Sequence, residues 1–205
     1  MSSLLGHGLA GLAVYKAVEG PAQLPTGWRG VVFAVGLAAV PDLDVLARIA
    51  LPQVFAHRGP THSLLFAAGL ALLAAFLVRR WQWRDAVRAW PALALVCAVH
   101  PLLDYLMGRG PGVPFLWPWS DEVYLSPIPL LPTAYYAKSL AGLLGLFQHR
   151  QTLVGMGLEV IIFLPLVFLS TWAGAIKPPG RAMAFALAML SLSAVGVYLT
   201  LMMCK

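Results

Sequence analysis

The feature that most constrains this chain is a succession of apolar stretches at or near membrane-spanning length, over about residues 31–50, 62–78, 89–107, 153–176 and 182–203. A helix needs ~20 such residues to cross the hydrocarbon of a bilayer. A sixth, shorter candidate covers residues 3–19, where Gly6, Gly8 and Gly11 offer close helix approach. Backbone inside lipid must satisfy its own hydrogen bonds, and no alternating barrel pattern runs through the chain, so helices are the spanning structure it can form. Its 205 residues are 60% hydrophobic and 11% charged, against ~45–50% apolar and ~25% charged in a soluble domain. The expectation is an all-α, polytopic membrane bundle of about five or six membrane helices. It forms a single domain over residues 1–205, because no long polar linker divides the apolar segments.

The formal net charge of +6 does not indicate a nucleic-acid partner, because the basic residues sit at the ends of apolar segments rather than on a polar face. They read as topology signals. The densest block, RRWQWRDAVR with Arg79, Arg80, Arg84 and Arg88, predicts a cytoplasmic loop. Alternation from there places Lys16, Arg29, Lys177 and Arg181 on the same side. The opposite side receives residues 51–61 and the long proline- and aromatic-rich outer loop from Gly108 to Thr152. Trp117, Trp119, Tyr124, Tyr135 and Tyr136 suit an interfacial belt there. Cys97 and Cys204 form no CxxC pair and read as buried bystanders. The amino terminus lacks the basic flank and cleavage site of a signal peptide and is expected to stay as a helix.

Ionisable groups inside membrane helices cost roughly 2.5–3.5 kcal/mol each on insertion scales, so each asks for a partner. The PDLD sequence puts Asp42 and Asp44 at the end of an apolar run, where Pro41 disturbs the helix; the bland account is a helix-end turn facing water. HRGPTHS supplies His57 and His62 across a Gly-Pro turn, with Thr61 or Ser63 available as a helix cap. Two loop histidines are commonly plain surface residues, but Arg58 beside them is a cation that an anionic phosphate would explain. In HPLLD, His100 and Asp104 are four apart and share a helix face; the plain alternative is a buried structural pair. Glu159 in LVGMGLEVIIFLP and His7 in SLLGHGLAG stand alone in sequence and, taken singly, could be packing oddities.

The topology joins them. Asp42 and Asp44 end a segment that starts at Arg29, His62 begins one that ends at Arg79, and His100 and Asp104 lie at the far end of the one that follows Arg88. Glu159 and His7 fall at the same level. Eight potential ligands (His7, Asp42, Asp44, His57, His62, His100, Asp104 and Glu159) thus converge on the outer side. That exceeds the roughly four ligands of a tetrahedral zinc ion, and the imidazole–carboxylate mixture suits zinc, manganese or iron. Two or more divalent ions activating a water for phosphoester hydrolysis is the chemistry such a set can support. No GxSxG elbow or P-loop supports serine hydrolysis or nucleotide chemistry.

Together, His7, PDLD, HRGPTHS, HPLLD and the aromatic-proline loop resemble the YdjM-like family of inner-membrane metal-dependent hydrolases, over most of the chain from His7 to about Glu159. At the level of its ligand pattern that family is similar to the zinc-dependent phospholipase C and single-strand nuclease enzymes, which are helical and hydrolyse phosphoesters with a zinc cluster. The late helix departs from that pattern: His149 and Glu159 are ten apart, which leaves His149 out.

The function expected from residues and resemblance is a metal-dependent phosphoesterase, with zinc the first choice of ion, acting on a phospholipid or lipid-linked phosphate at the outer interface of the bilayer. Asp42, Asp44 and His62 would serve the reaction as well as the metal, and Arg58 would neutralise the substrate phosphate. An amide or ester hydrolase would use the same apparatus. A metal-ion or proton transporter would need polar groups continuing toward the cytoplasm, and the inner halves of the segments (AFLV, WPALAL, LVFLSTWAGAI) offer almost none. A third reading keeps the metal only as a structural staple.

Overall fold

A computed structural model describes residues 3–51, 58–79, 83–133, 139–172 and 179–203. The element order is α1 (Leu4–Val18), α2 (Gly27–Ala39), a 3-10 turn (Val40–Leu43) running on into α3 (Asp44–Ala50), a second 3-10 turn (Pro60–His62), α4 (Leu64–Val78), α5 (Trp83–Leu106), the short α6 (Leu140–Leu144), α7 (Arg150–Trp172) and α8 (Pro179–Met203). Among the described residues there is no strand, only an isolated pairing of Val113 with Tyr124. The all-helical membrane architecture is therefore as expected.

Gly27–Ala50, Asp85–Leu106, Arg150–Trp172 and Gly180–Met203 are long and apolar enough to cross a membrane, while Leu4–Val18 and Leu64–Val78 are shorter apolar helices. At 1.5 Å per residue, α7 reaches ~35 Å and α1 only ~22 Å. The short α1 nevertheless occupies the middle of the bundle, packed against α2, α5 and α7, with α4 outside on α5 and α8 outside on α7. Lipid supplies no hydrophobic drive between helices, so close association depends on small residues that let backbones approach. Gly8 lies against Val35 and Gly11 against Ala38, where an added Cβ would stand 2.7 Å from the Ala38 Cβ. Alanines do the same between α4 and α5, with Ala67, Ala71, Ala74 and Ala75 facing Ala86, Ala89, Leu93 and Val96.

The two ends of the bundle differ. Lys16, Arg79 and the turn between α1 and α2 gather at one: Tyr15 donates to the Pro25 carbonyl at 2.8 Å, and Arg79 donates to that of Ala22. Arg29, Arg88 and Arg181 lie in the first turns or so of helices starting from this end. Arg80, Lys177, Tyr135, Tyr136 and Cys204 lie outside the described residues; Cys97 is buried, as expected. At the other end, the segment after α5 folds back over the helix termini. Val113 and Tyr124 exchange two backbone hydrogen bonds of 2.8 and 2.9 Å, Ser126 and Leu130 donate to the Tyr105 and Leu106 carbonyls, and the Phe115 carbonyl accepts from the Leu64 amide at the start of α4. Gly108, at φ +60°, makes the sharp exit from α5; a Cβ there would sit 2.9 Å from Pro129 and the Ser126 carbonyl. Trp119 is 77% exposed on this segment, where an interfacial aromatic belongs.

The α1–α2 crossing gives a direct test. Gly11→Val should lower the thermal midpoint of the detergent-solubilised protein by the equivalent of about 1–3 kcal/mol of overpacking, whereas Gly157→Val, at a position with open space around it, should leave it nearly unchanged.

Candidate metal centre

Four elements bring their ionisable side chains to one point at the loop-covered end of the bundle. His7 comes from the first turns of α1, Asp42 from the 3-10 turn ending α2, His62 from the 3-10 turn preceding α4, and His100 and Asp104 from the last turns of α5. Pro41 lies within the turn that carries Asp42. The Gly-Pro turn seats His62, and Ser63 then caps α4 by accepting from the Phe66 amide at 3.1 Å. His7, His62, His100 and Asp104 are all 0% exposed.

The distances are those of a shared centre. His7 Nε2 lies 3.6 Å from Asp104 Oδ1 and 3.9 Å from Asp42 Oδ2, while His100 Nε2 lies 3.5 Å from Asp42 Oδ1 and 3.1 Å from His62 Nε2. His62 Nε2 is 3.3 Å from Asp104 Oδ2. The His7 and His100 rings stack at 3.8 Å with 14° between their planes. Two groups, His7–Asp42–His100 and His62–His100–Asp104, each offer three ligand atoms within 4.8 Å of one another. Two ligand nitrogens on a zinc tetrahedron with bonds of about 2.0–2.1 Å stand roughly 3.3 Å apart, close to the observed spacings.

Hydrogen bonding fixes which nitrogens face inward. His100 Nδ1 is 2.7 Å from the Ala38 carbonyl, an acceptor only, so Nδ1 carries the proton and Nε2 turns a lone pair to the cluster. Thr61 Oγ1 bonds Asp44 Oδ2 at 3.1 Å and lies 3.0 Å from His62 Nδ1. With the hydroxyl donating to the carboxylate, Nδ1–H donates to the hydroxyl and leaves Nε2 as the inward lone pair. Facing lone pairs and two buried carboxylates repel one another unless a cation lies among them. Unsatisfied atoms point the same way. Of five buried side-chain polar atoms without a hydrogen-bond partner among the described residues, four are both ring nitrogens of His7 and both oxygens of Asp42. A purely structural His–Asp network would satisfy them, and a divalent ion would engage the inward Nε2 of His7 and the Asp42 carboxylate. This donor set therefore fits a metal. His100 has one inward nitrogen, so the two triads compete for it, and a second ion would need another ligand.

Not every predicted residue joins the centre. Asp44 sits behind His62: its Oδ2 accepts from Thr61 and from the Arg58 amide at 3.1 Å and lies 3.4 Å from His62 Nδ1. It orients a ligand instead of belonging to either triad. Glu159 is 1% exposed and accepts from the Ser3 amide at 2.7 Å and from the Ser3 hydroxyl, which makes it the tie that anchors the amino end of α1 one turn from His7. His57 lies outside the described residues.

Arg58 differs most from expectation. Its Nε and Nη2 grip the two Asp104 oxygens at 3.0 and 2.9 Å, and Nη1 donates to the Arg109 carbonyl at 3.0 Å. The two-pronged face expected to meet a substrate phosphate is already filled by Asp104, at 4% exposure. The sequence pattern missed the carbonyls of Ala38 and Arg109 as partners, since backbone atoms leave no mark in residue identity. Ser3 did leave one, a cap residue directly before an apolar run.

Arg58 holds a left-handed φ of +59°, and Gly110 beside it leaves no room for a side chain, since a Cβ there would meet Nη1 at 2.9 Å. Removing the guanidinium strands a buried carboxylate. Arg58→Ala should cost about 3–5 kcal/mol of stability in the metal-free protein, measured by thermal unfolding, and added zinc should recover part of that loss by offering Asp104 another cation.

The profile of a family described as "YdjM inner membrane protein" matches residues 1–200. A curated relative, "Inner membrane protein YbcI" of Escherichia coli (strain K12), is 43% identical over 106 residues, which is 50% of this chain and 61% of the relative. The match thus spans less than two thirds of that protein's length. No solved structure matches the chain.

Proposed function

Because this chain belongs to the YdjM inner membrane protein family, we propose that it is an integral inner-membrane hydrolase dependent on a divalent metal, zinc by the chemistry of its donors, that cleaves a phosphoester in a phospholipid or lipid-linked phosphate. The observation that carries the proposal is the convergence of His7, Asp42, His62, His100 and Asp104 on one buried point, with the ring nitrogens of His7 and the oxygens of Asp42 left without partners.

A divalent ion held by these residues supplies positive charge to polarise a P–O bond and lowers the pKa of a water in reach of it. The protein's own parts can be assigned around that chemistry. Ala38 and Thr61 hold His100 and His62 in the tautomers that face inward. Arg58 fixes Asp104 and offsets its charge. Asp42, whose carboxylate oxygens have no hydrogen-bond partner among the described residues, could take the proton of the attacking water. The new P–O bond would form as the bond to the lipid alcohol breaks, and that alcohol would leave with the proton Asp42 had taken.

Two arguments set this reading above a transporter and a soluble substrate. Among the described residues, the buried histidine, carboxylate and arginine side chains (His7, Asp42, Asp44, Arg58, His62, His100, Asp104 and Glu159) lie in the half of the bundle that holds the cluster, and no series of such groups continues toward the opposite end. The cluster also lies toward the ends of α2 and α5, which supports a site near the level of lipid headgroups. The concentration of Lys and Arg at the opposite end supports an extracytoplasmic site. Amide or ester hydrolysis by the same centre is the alternative that a substrate panel separates.

Purified wild type should contain at least one tightly bound divalent ion and release phosphate or a phosphorylated headgroup from a lipid-phosphate panel. His62→Ala and Asp104→Ala should each lose 10-fold or more of the metal affinity, by about 1.4 kcal/mol per decade, and activity with it. A well-folded wild type without metal would sink the proposal. For sidedness, a cysteine placed at Arg88 should resist an impermeant maleimide in sealed right-side-out vesicles, and one at Trp119 should react; the reverse pattern would move the site to the cytoplasm.

A further inference from the structure

Beside the metal centre, and distinct from it, lies a pocket of about 440 Å³ lined by Arg109, Arg150, Thr133, Gln151, Leu158 and Met203, among others. It forms where three parts of the chain meet: the segment that follows α5, the first turns of α7 and the last turn of α8. Thr200 is buried in the lining with its hydroxyl already given to the Gly196 carbonyl, and Met203 is exposed. Arg109, Arg150 and Gln151 are exposed at the rim, while Gly155 and Leu158 are buried at the base, and Gln151 Nε2 holds Thr133 Oγ1 at 3.2 Å across the mouth. Arg150 opens a 23-residue helix, whose amino end adds a partial positive charge to that of the two guanidinium groups.

The pocket connects to the metal centre through covalent neighbours. The Arg109 carbonyl accepts from Arg58, whose other prongs hold Asp104. Leu158 in the pocket base precedes Glu159, which anchors Ser3 and the helix that carries His7. The pocket lining thus adjoins residues that position the metal ligands and includes none of the ligands themselves. The outer faces of α7 and α8 around the pocket, at Leu153, Leu199 and Met202, are exposed and apolar, so in a membrane they border acyl chains.

We propose that this pocket is the lipid-binding subsite: Arg109 and Arg150 bind the phosphate of an anionic amphiphile at the rim, and Val154, Leu158 and Met203 receive the first part of its apolar chain. The assignment rests on the hydrolase reading for its purpose, since it supplies the substrate class, but binding at the pocket needs no metal. Paired arginines match phosphate oxygens in a forked geometry that a neutral headgroup cannot use, and an apolar base gives nothing to inorganic phosphate.

The test uses the full-length protein in detergent micelles, as purified and after chelation. The probe is a fluorescent short-chain lipid phosphonate, which carries the anionic headgroup but no ester to hydrolyse. Competitors are dioctanoyl phosphatidic acid, dioctanoyl phosphatidylcholine, glycerol phosphate and inorganic phosphate. Phosphatidic acid should displace the probe at least 10-fold better than each of the other three, and Arg109→Ala and Arg150→Ala should each weaken it about 10-fold, near the 1.4 kcal/mol that corresponds to one decade. Arg150→Lys should recover part of the loss, and metal content should match wild type in all three variants. Unchanged binding in the variants would overturn the pocket, and so would inorganic or glycerol phosphate competing as well as the lipid, which would leave a simple anion site. A failure of the pocket leaves metal content and phosphate release intact. A failure of the hydrolase reading leaves binding intact in protein that holds no metal.

Discussion

The structure depends on how much buried charge one end of a small membrane bundle can hold. His7, Asp42, Asp44, Arg58, His62, His100, Asp104 and Glu159 are all withdrawn from solvent, and each ionised group in a low-dielectric interior must be matched by another or by an ion. Arg58 against Asp104 and Ser3 against Glu159 settle two of these accounts inside the protein. Asp42 and His7 are left open, and the surrounding architecture is arranged to keep them close: α1 runs through the middle of the bundle, α2 breaks at Pro41, and the segment after α5 closes the end. Close helix contacts at Gly8 and Gly11 are what bring His7 within reach of residues on α2 and α5.

Most of the architecture was legible in the sequence because lipid permits few alternatives. Apolar runs of spanning length have to be helices, and their basic ends order them. The observed boundaries differ from the apolar runs by a few residues at most positions, with α5 beginning earlier, at Trp83, inside the polar block. The helical spacing of His100 and Asp104 and the position of His62 at a helix start both placed those residues correctly at one level. Depth in the membrane could be read, but direction around a helix axis could not. Glu159 sits at the right depth, yet it turns to Ser3, and Asp44 lies two residues from Asp42 on a tight turn that sends it to the far side of His62.

Arg58 illustrates the same limit from the side of chemistry. A cation beside histidines in a phosphatase-like pattern invites a role in substrate binding, because residue identity gives charge and not partner. The partner is set by the fold: a left-handed backbone at Arg58, a glycine that admits the guanidinium, and an aspartate on a helix that begins 25 residues further on. In the proposed lipid subsite that role passes to Arg109 and Arg150, which carry no motif and line one pocket only because the loop after α5 folds back toward α7.

The central position of α1 also orders events in time. It leaves the ribosome ahead of the helices it packs against, with only 15 residues of helix, a polar imidazole near its start and little apolar length to hold it across the bilayer. Its anchor Glu159 lies 156 residues later in the chain, and Asp104 nearly a hundred residues later. The tie between Ser3 and Glu159 can form only once α7 has been synthesised, so the amino end of the helix that carries His7 is secured late although that ligand is made early. The anchoring of His7 and the pocket lined by α7 and α8 are thereby coupled to completion of the bundle.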